Sequence, residues 1–478
     1  MTGLHFEDIL TLQKSLELGE ITSKQLTTFF LERIAKYDKT GPKINSILEL
    51  NPEALHIAEA LDKERTASGP RGPLHGIPII VKDNIDTADK MHTSAGSLAL
   101  ANNYASTDSF VAKKLREAGA IILGKANMTE WANFMTEGMP NGYSSRGGQV
   151  LNPYNPGELD VGGSSSGSAA SIATGLAVAA IGTETSGSIL SPASSNSLVG
   201  IKPTVGLISR SGIVPISNSQ DTAGPIAKTV TDAAIVLGAL TGIDANDPAT
   251  AMSEASAQKD YTKHLTTKGL HGKKIGVVRD YFSEIDEAEV TIFEAALKEL
   301  EAEGATIVEH IDYASEVTDI EVMIHEFKST LNAYLAPLSA QVPVHSLSEV
   351  ILFNEAHKDV TLKYGQTLLS ASEKTSGTLT EAAYINARLN DLKISQSEGI
   401  DQAIKQYDLD ALVFINNYGA GIPAKAGYPS ITVPAGYTEQ GKPVGITWTG
   451  LAFSEAKLIE MAYAYEQVTK HRRAPQLD

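Results

Sequence analysis

The 478-residue chain has no cysteine, which excludes disulfides, thiolate zinc sites and a cysteine nucleophile. It is also short of positive charge. Its 39 Lys and Arg stand against 57 Asp and Glu, a formal net charge of −18 at pH 7. Such a surface offers no general phosphate-binding face, so nucleic acid is not an expected partner and anionic membranes are disfavoured. Long apolar runs are missing: the longest fall well short of the ~18 residues that suggest a membrane span. The first residues carry acids where a signal peptide needs a basic start and an apolar stretch. The expectation is a soluble, cytoplasmic chain without a membrane partner. No pair among the 11 histidines has zinc-helix spacing, and His325-Glu326 lacks a histidine three residues on. No metal is expected.

What is present is ordinary globular composition, 42% hydrophobic and 20% charged, with enough chain for a large core. Leu10, Leu12, Leu16, Leu18, Leu26, Phe29, Phe30, Leu31 and Ile34 fall roughly on a helical stripe within residues 6–37. A second helix runs from Pro52 to about Ala67 and stops at the breakers Ser68-Gly69-Pro70. Ile77 to Val81 reads as a strand ending at Lys82. A helix over 109–118 then leads to a strand over 120–123. This strand–helix–strand rhythm marks an α/β layered protein.

Residues 142–219 are dense in Gly and Ser and poor in charge, which places them at the centre of the molecule. Ala169 to Ala180 reads as one buried helix, and 199–201 and 206–208 as strands. Strands over 273–279 and 305–311 flank a helix at about 287–303. From about 315 to 405 the pattern is mainly helical, a layer or sub-lobe. Strands return at 411–415, 431–433 and 444–447, and a helix over 455–469 closes the chain. Strands near both ends of the sequence predict one sheet rather than separate domains.

Three motifs compete for the chemistry. Gly119 to Ala126 nearly fits a phosphate-binding loop, but position 126 lacks the hydroxyl for magnesium and the filler is a strand. Gly163-Ser164-Ser165-Ser166-Gly167 fits the nucleophile elbow of α/β-hydrolases, with Ser165 as nucleophile and an unidentified downstream histidine. A second serine cluster, Gly182-Thr183-Glu184-Thr185-Ser186-Gly187-Ser188, follows the Ala-rich segment. Two serine loops bracketing one helix can fold onto the same spot. The backbone N–H groups of Thr185 to Ser188 could then form a nest for an oxyanion. With no obvious histidine, the base for such a serine would be a lysine made neutral by burial. Lys82, at the end of an apolar strand, suits that role.

Lys82 within Gly76-Ile-Pro-Ile-Ile-Val-Lys-Asp-Asn84, the Gly162–Ser168 cluster and the Gly182–Ser188 cluster together resemble the amidase signature family in order and spacing. The resemblance covers nearly the whole chain. It implies an α/β fold with a large mixed β-sheet core covered by helices on both faces, one domain over 1–478. It also implies a Ser–Ser–Lys triad: Ser188 as nucleophile, Ser164 as bridging serine after a cis Gly163–Ser164 peptide, and Lys82 as base. The oxyanion would sit on the N–H groups of Thr185, Ser186, Gly187 and Ser188. The implied activity is hydrolysis of a carboxamide, such as the C-terminal amide of a peptide with release of ammonia, without a cofactor.

Aryl or small aliphatic amides, and a glutaminase subunit of an amidotransferase, are the alternatives on the same triad. A non-catalytic relative is a further one. Trp131, Asn133, Phe134, Tyr143, Arg146, Gln149, Gln220 and Asp221 are candidates for the substrate pocket, with core packing the competing role for Trp131 and Phe134. Many family members have Gly where this chain has Ser186 and Arg where it has Leu190. The segment Asn416–Ala426 is shorter than in relatives that act on peptide amides. Monomer and homo-oligomer are equally compatible with the sequence.

Overall fold

A computed structural model describes residues 3–313 and 319–477. Its centre is an 11-stranded sheet. In spatial order the strands are Ile47–Leu50, Ile121–Ala126, Pro78–Lys82, Ala179–Glu184, Thr222–Ala227, Val199–Lys202, Ser430–Tyr437, Pro443–Thr449, Ala411–Ile415, Lys274–Val277 and Thr306–Val308. The sheet is mixed. Pro78–Lys82 runs parallel to both of its neighbours, whereas Thr222–Ala227 runs antiparallel to both of its own. Successive strand residues point to opposite faces. Every residue of Pro78–Lys82, Ala179–Glu184, Thr222–Ala227 and Pro443–Thr449 is buried, so both faces are covered. Helices do the covering, among them Ser166–Ala173, Val230–Leu240, Glu287–Ala302 and Glu455–Thr469. Among the described residues no helix is long and apolar enough to cross a membrane.

The stretch expected to be helical holds Glu321–Leu335, Leu347–Ala356, Thr367–Glu373 and Ala382–Leu392, and ends in Asp401–Tyr407. Its first positions, 315–318, lie outside the described residues. Phe327, Leu331, Leu335, Leu347 and Leu369 of this layer form an apolar cluster with Leu100, Met128, Trp131, Phe134 and Ile216. The layer therefore packs on the loops that follow the sheet strands. Ser346 starts the second of these helices by accepting the Glu349 N–H.

Three expectations need correction. Residues 6–37 form two helices, Ile9–Glu17 and Ser23–Arg33, the second opened by a capping box of Thr22 and Gln25. Ala169–Ala180 is not one helix. Gly175, at φ +70°, ends it just past Ala173, and Ala179 already begins a central strand. The switch is what brings the second serine cluster beside the first. Residues 206–208 are a turn bridged by Val205 and Ile208. Thr222–Ala227 is a further central strand, outside the strands that the sequence indicates. Gly224 is needed there: a Cβ would lie 2.0 Å from the Ile201 carbonyl.

Candidate active site

The parallel strands Pro78–Lys82 and Ala179–Glu184 lie side by side, with Val81 opposite Ile181. Both end at the same edge, the carboxyl end where α/β sheets place ligands. Lys82 and Thr183 therefore meet. Lys82 Nζ donates to Ser164 Oγ at 2.8 Å, to Thr183 Oγ1 at 2.9 Å and to the Thr183 carbonyl at 3.1 Å. The side chain is fully buried. Burial pushes its ammonium down from the usual 10.5 to about 7, against the opposing pull of the Glu184 and Asp221 carboxylates.

Ser164 is fully buried and follows a cis peptide after Gly163. Its carbonyl accepts the Thr129 N–H at 3.1 Å. The Ser165 N–H donates to the Ser188 carbonyl at 3.2 Å, which joins the two serine clusters through their backbones. Ser188 is 7% exposed, while Lys82 and Ser164 are at zero. Of these three side chains only Ser188 meets solvent.

The loop from Thr185 to Leu190 is shaped by Glu184. Its carboxylate accepts the N–H of Gly187 at 2.7 Å, of Ile189 at 2.7 Å and of Leu190 at 3.0 Å. Burial raises the Glu184 carboxyl, and Lys202 and these N–H groups pull it back. One expectation changes here. The Gly187 N–H is committed to Glu184 and is not free for an oxyanion. The N–H groups of Thr185, Ser186 and Ser188 have no acceptor among the described residues. Ser186 is exposed on this loop.

The competing motifs resolve as structure. Ser165 is fully buried; its hydroxyl donates to the Thr183 carbonyl at 3.0 Å and accepts the Thr183 N–H at 3.2 Å. It has no histidine partner among the described residues. Lys125, of the near phosphate-loop motif, is buried and donates to Ile85 O and Thr93 Oγ1.

The pocket candidates scatter. Trp131 and Phe134 belong to the apolar cluster under the helical layer, and Phe134 packs on Phe327 with ring centroids 5.1 Å apart. Their large apolar surfaces are core, as the competing reading has it. Arg146 bridges Glu49 at 2.8 Å and Ser94 at 3.0 Å, and Gln149 donates to the carbonyls of Asn141 and Val150. Both are framework ties. Tyr143 lies edge-on to Tyr364 with Lys363 over its ring, and Asn133 is exposed. Gln220 and Asp221 do reach the loop that carries Ser188: Gln220 Nε2 donates to the Thr185 carbonyl at 3.2 Å, and Thr185 Oγ1 donates to Asp221 Oδ1 at 2.5 Å. Burial lifts the Asp221 carboxyl to about 6.

Sequence reasoning gave Thr183, Glu184 and Asn84 no role, although all three lie inside the quoted motifs. Nothing in the pattern pointed to Glu326. It sits at the layer's inner edge and binds Ser217 and Ser219.

The family model described as Amidase matches residues 25–459. A probable amidase of Arabidopsis thaliana is 43% identical over 476 residues, covering 95% of this chain and 88% of that one. One subunit of the glutamyl-tRNA(Gln) amidotransferase of Halorhodospira halophila is 33% identical, with 99% of each chain covered. The crystal structure of native peptide amidase from Stenotrophomonas maltophilia superposes with a TM-score of 0.92 at 44% identity, covering 98% of each chain. That of an amidase family protein from Bacillus anthracis gives 0.94 at 41% identity, covering 98% of this chain and 92% of that one. The chain belongs to the amidase signature family, and it is an amidase.

Proposed function

We propose that the enzyme hydrolyses the C-terminal carboxamide of peptides through an acyl-enzyme on Ser188, releasing ammonia. Neutral Lys82 takes the proton of Ser164 as Ser164 takes that of Ser188. Ser188 Oγ attacks the amide carbon, and the carbonyl oxygen becomes an oxyanion facing the N–H groups of Thr185, Ser186 and Ser188. Each such donor is typically worth ~2.7–4 kcal/mol. The C–N bond then breaks as the proton returns through Ser164 to the departing nitrogen, which leaves as ammonia. Water enters, gives its proton to the same relay and displaces Ser188, leaving a carboxylic acid.

The observation that carries this reading is the fully buried Lys82 amine bonded to Ser164 at 2.8 Å. A lysine held near neutrality by burial is a competent base at neutral pH. Similarity to peptide amidase over 98% of the chain supports the substrate class.

The test is ammonia release from amidated peptides, glutamine, anilides and aliphatic amides, with wild type and Ser188→Ala in parallel. Release from amidated peptides that disappears in the variant is expected. Activity surviving Ser188→Ala would sink the mechanism, and turnover of anilides or small amides alone would overturn the peptide assignment. Similarity to the amidotransferase relative keeps one second reading, a glutaminase working within an assembly. Glutamine turnover that appears only with a co-purifying protein would establish it.

A further inference from the structure

A cavity of about 250 Å³ opens beside the strands that carry this site. Its floor is Asn84, Thr183 and Thr185. The Thr183 hydroxyl is shared by Lys82 Nζ at 2.9 Å and Asn84 Nδ2 at 3.0 Å. Thr185 bears one of the N–H groups without an acceptor. The cavity thus adjoins both the base and the loop that faces the oxyanion.

One wall is the turn at Ala132. Here Trp131, Ala132 and Asn133 have φ of 51°, 53° and 70°. Three successive non-glycine residues in the left-handed region are costly, and such strain clusters at ligand-binding sites. Ile213, Val214 and Ile216 give the otherwise mostly polar lining an apolar stretch. Thr330 and Ala333, on helix Glu321–Leu335, close the side.

The two ionisable groups of the lining already have partners. Arg210 holds Asp247 at 2.8 and 2.6 Å. Asp221 accepts Thr185 Oγ1 at 2.5 Å and the N–H groups of Ile216 and Ser217 at 2.8 Å each. A charged group entering the cavity would lose its hydration and find no free counter-charge.

We propose that this cavity receives the uncharged side chain of the residue that bears the scissile carboxamide. The inference rests on the peptide-amide reading: ammonia leaves, so the bulk of the substrate lies on the acyl side. The volume falls below the ~300–1,000 Å³ of pockets that enclose a whole drug-sized ligand. It suits one side chain.

The experiment compares N-acetylated dipeptide amides ending in glycine, leucine, aspartate or lysine amide. A leucine side chain packing against Ile213, Val214 and Ile216 is expected to gain about tenfold over glycine in kcat/KM. Leucine is expected to exceed aspartate and lysine by at least the same factor. In Ala333→Phe and, separately, Ser329→Leu, the leucine-to-glycine ratio should fall toward one. Both positions are at least partly exposed on the helix, so both variants should fold.

The same peptides as C-terminal aldehydes, bound to wild type and to both variants and followed by calorimetry, give the ratio without turnover. A leucine preference that survives both substitutions, or charged residues that match leucine, would overturn the assignment. Aldehydes that keep the preference in wild type and lose it in the variants support it even if no peptide amide releases ammonia. That last result would count against the peptide-amide reading alone.

Discussion

Lys82 shows how one residue's surroundings set its chemistry. Its strand is apolar, its neighbours are fully buried, and its amine falls to about 7. In the proposed mechanism the neutral form is the base, so kcat/KM should lose about tenfold per pH unit below ~7 and level off above it. A profile flat from pH 5 to 8 would refute Lys82 as the base. The same shift has a stability sign. Between about 7 and 10.5 the unfolded chain holds a proton that the folded chain has released, so stability rises with pH across that window. Lys82→Met should be inactive and should show a smaller rise than wild type, as read by urea unfolding at pH 7 and pH 9, since the buried Lys202 and Lys228 contribute to it as well. Ser165 is the internal control. Its hydroxyl serves only the Thr183 backbone, so Ser165→Ala should cost about 1 kcal/mol of stability and keep most activity. Loss of turnover there with activity kept in Ser188→Ala would restore the elbow reading.

At the scale of elements, two carboxylates do the positioning. Glu184 ends a strand and gathers three N–H groups of the following loop and helix start. Glu184→Gln replaces charge-assisted bonds with weaker ones and leaves an N–H donor facing N–H groups. It should cost about 2–3 kcal/mol and lower kcat more than it raises KM. With kcat taken per folded molecule, a raised KM at unchanged kcat would assign Glu184 to substrate binding, and unchanged constants would assign it to folding alone. Glu326 works from the helical layer. It accepts from the Ser217 and Ser219 hydroxyls, the Ser219 N–H and the Tyr384 hydroxyl. The Ser217 N–H in turn holds Asp221, and Asp221 holds Thr185. The layer is thus tied to the Thr185–Leu190 loop by a continuous hydrogen-bond chain. Glu326→Gln should therefore reduce kcat several-fold with little change in KM, and its effect should be less than additive with Thr185→Val. Additive effects would show that the chain transmits nothing.

The whole molecule depends on close backbone approach at its centre. Helix Ser166–Ala173 is buried on every side. A Cβ at Gly167 would lie 2.3 Å from the carbonyl oxygens of both Ser46 and Asn127. Backbone cannot yield as a side-chain tip can. Gly167→Ala should destabilise the protein by about 3 kcal/mol or more, measured by thermal melting, although it alters no reacting group. A melting temperature within a degree of wild type would show that this packing is looser than described.

Much of this was legible in the sequence because it is local. The missing cysteines and the acidic balance excluded classes of function, and the strand ending at Lys82 with the two serine clusters in order carried the family resemblance that implies the chemistry and the fold. Strands built from Val and Ile, such as Ala411–Ile415, declared themselves by composition. Other features exist only by contact. Thr222–Ala227 is a strand whose Gly224 is explained only by the Ile201 carbonyl packed against it. Trp131 and Phe134 read as pocket aromatics until the helical layer buries them. The Gly187 N–H reads as an oxyanion donor until the Glu184 carboxylate occupies it. Glu326 carries no motif and owes its role to a helix far along the chain. A sequence states which groups are available; burial and hydrogen-bond partnership are properties of pairs brought together from distant positions, and only the tertiary structure decides them.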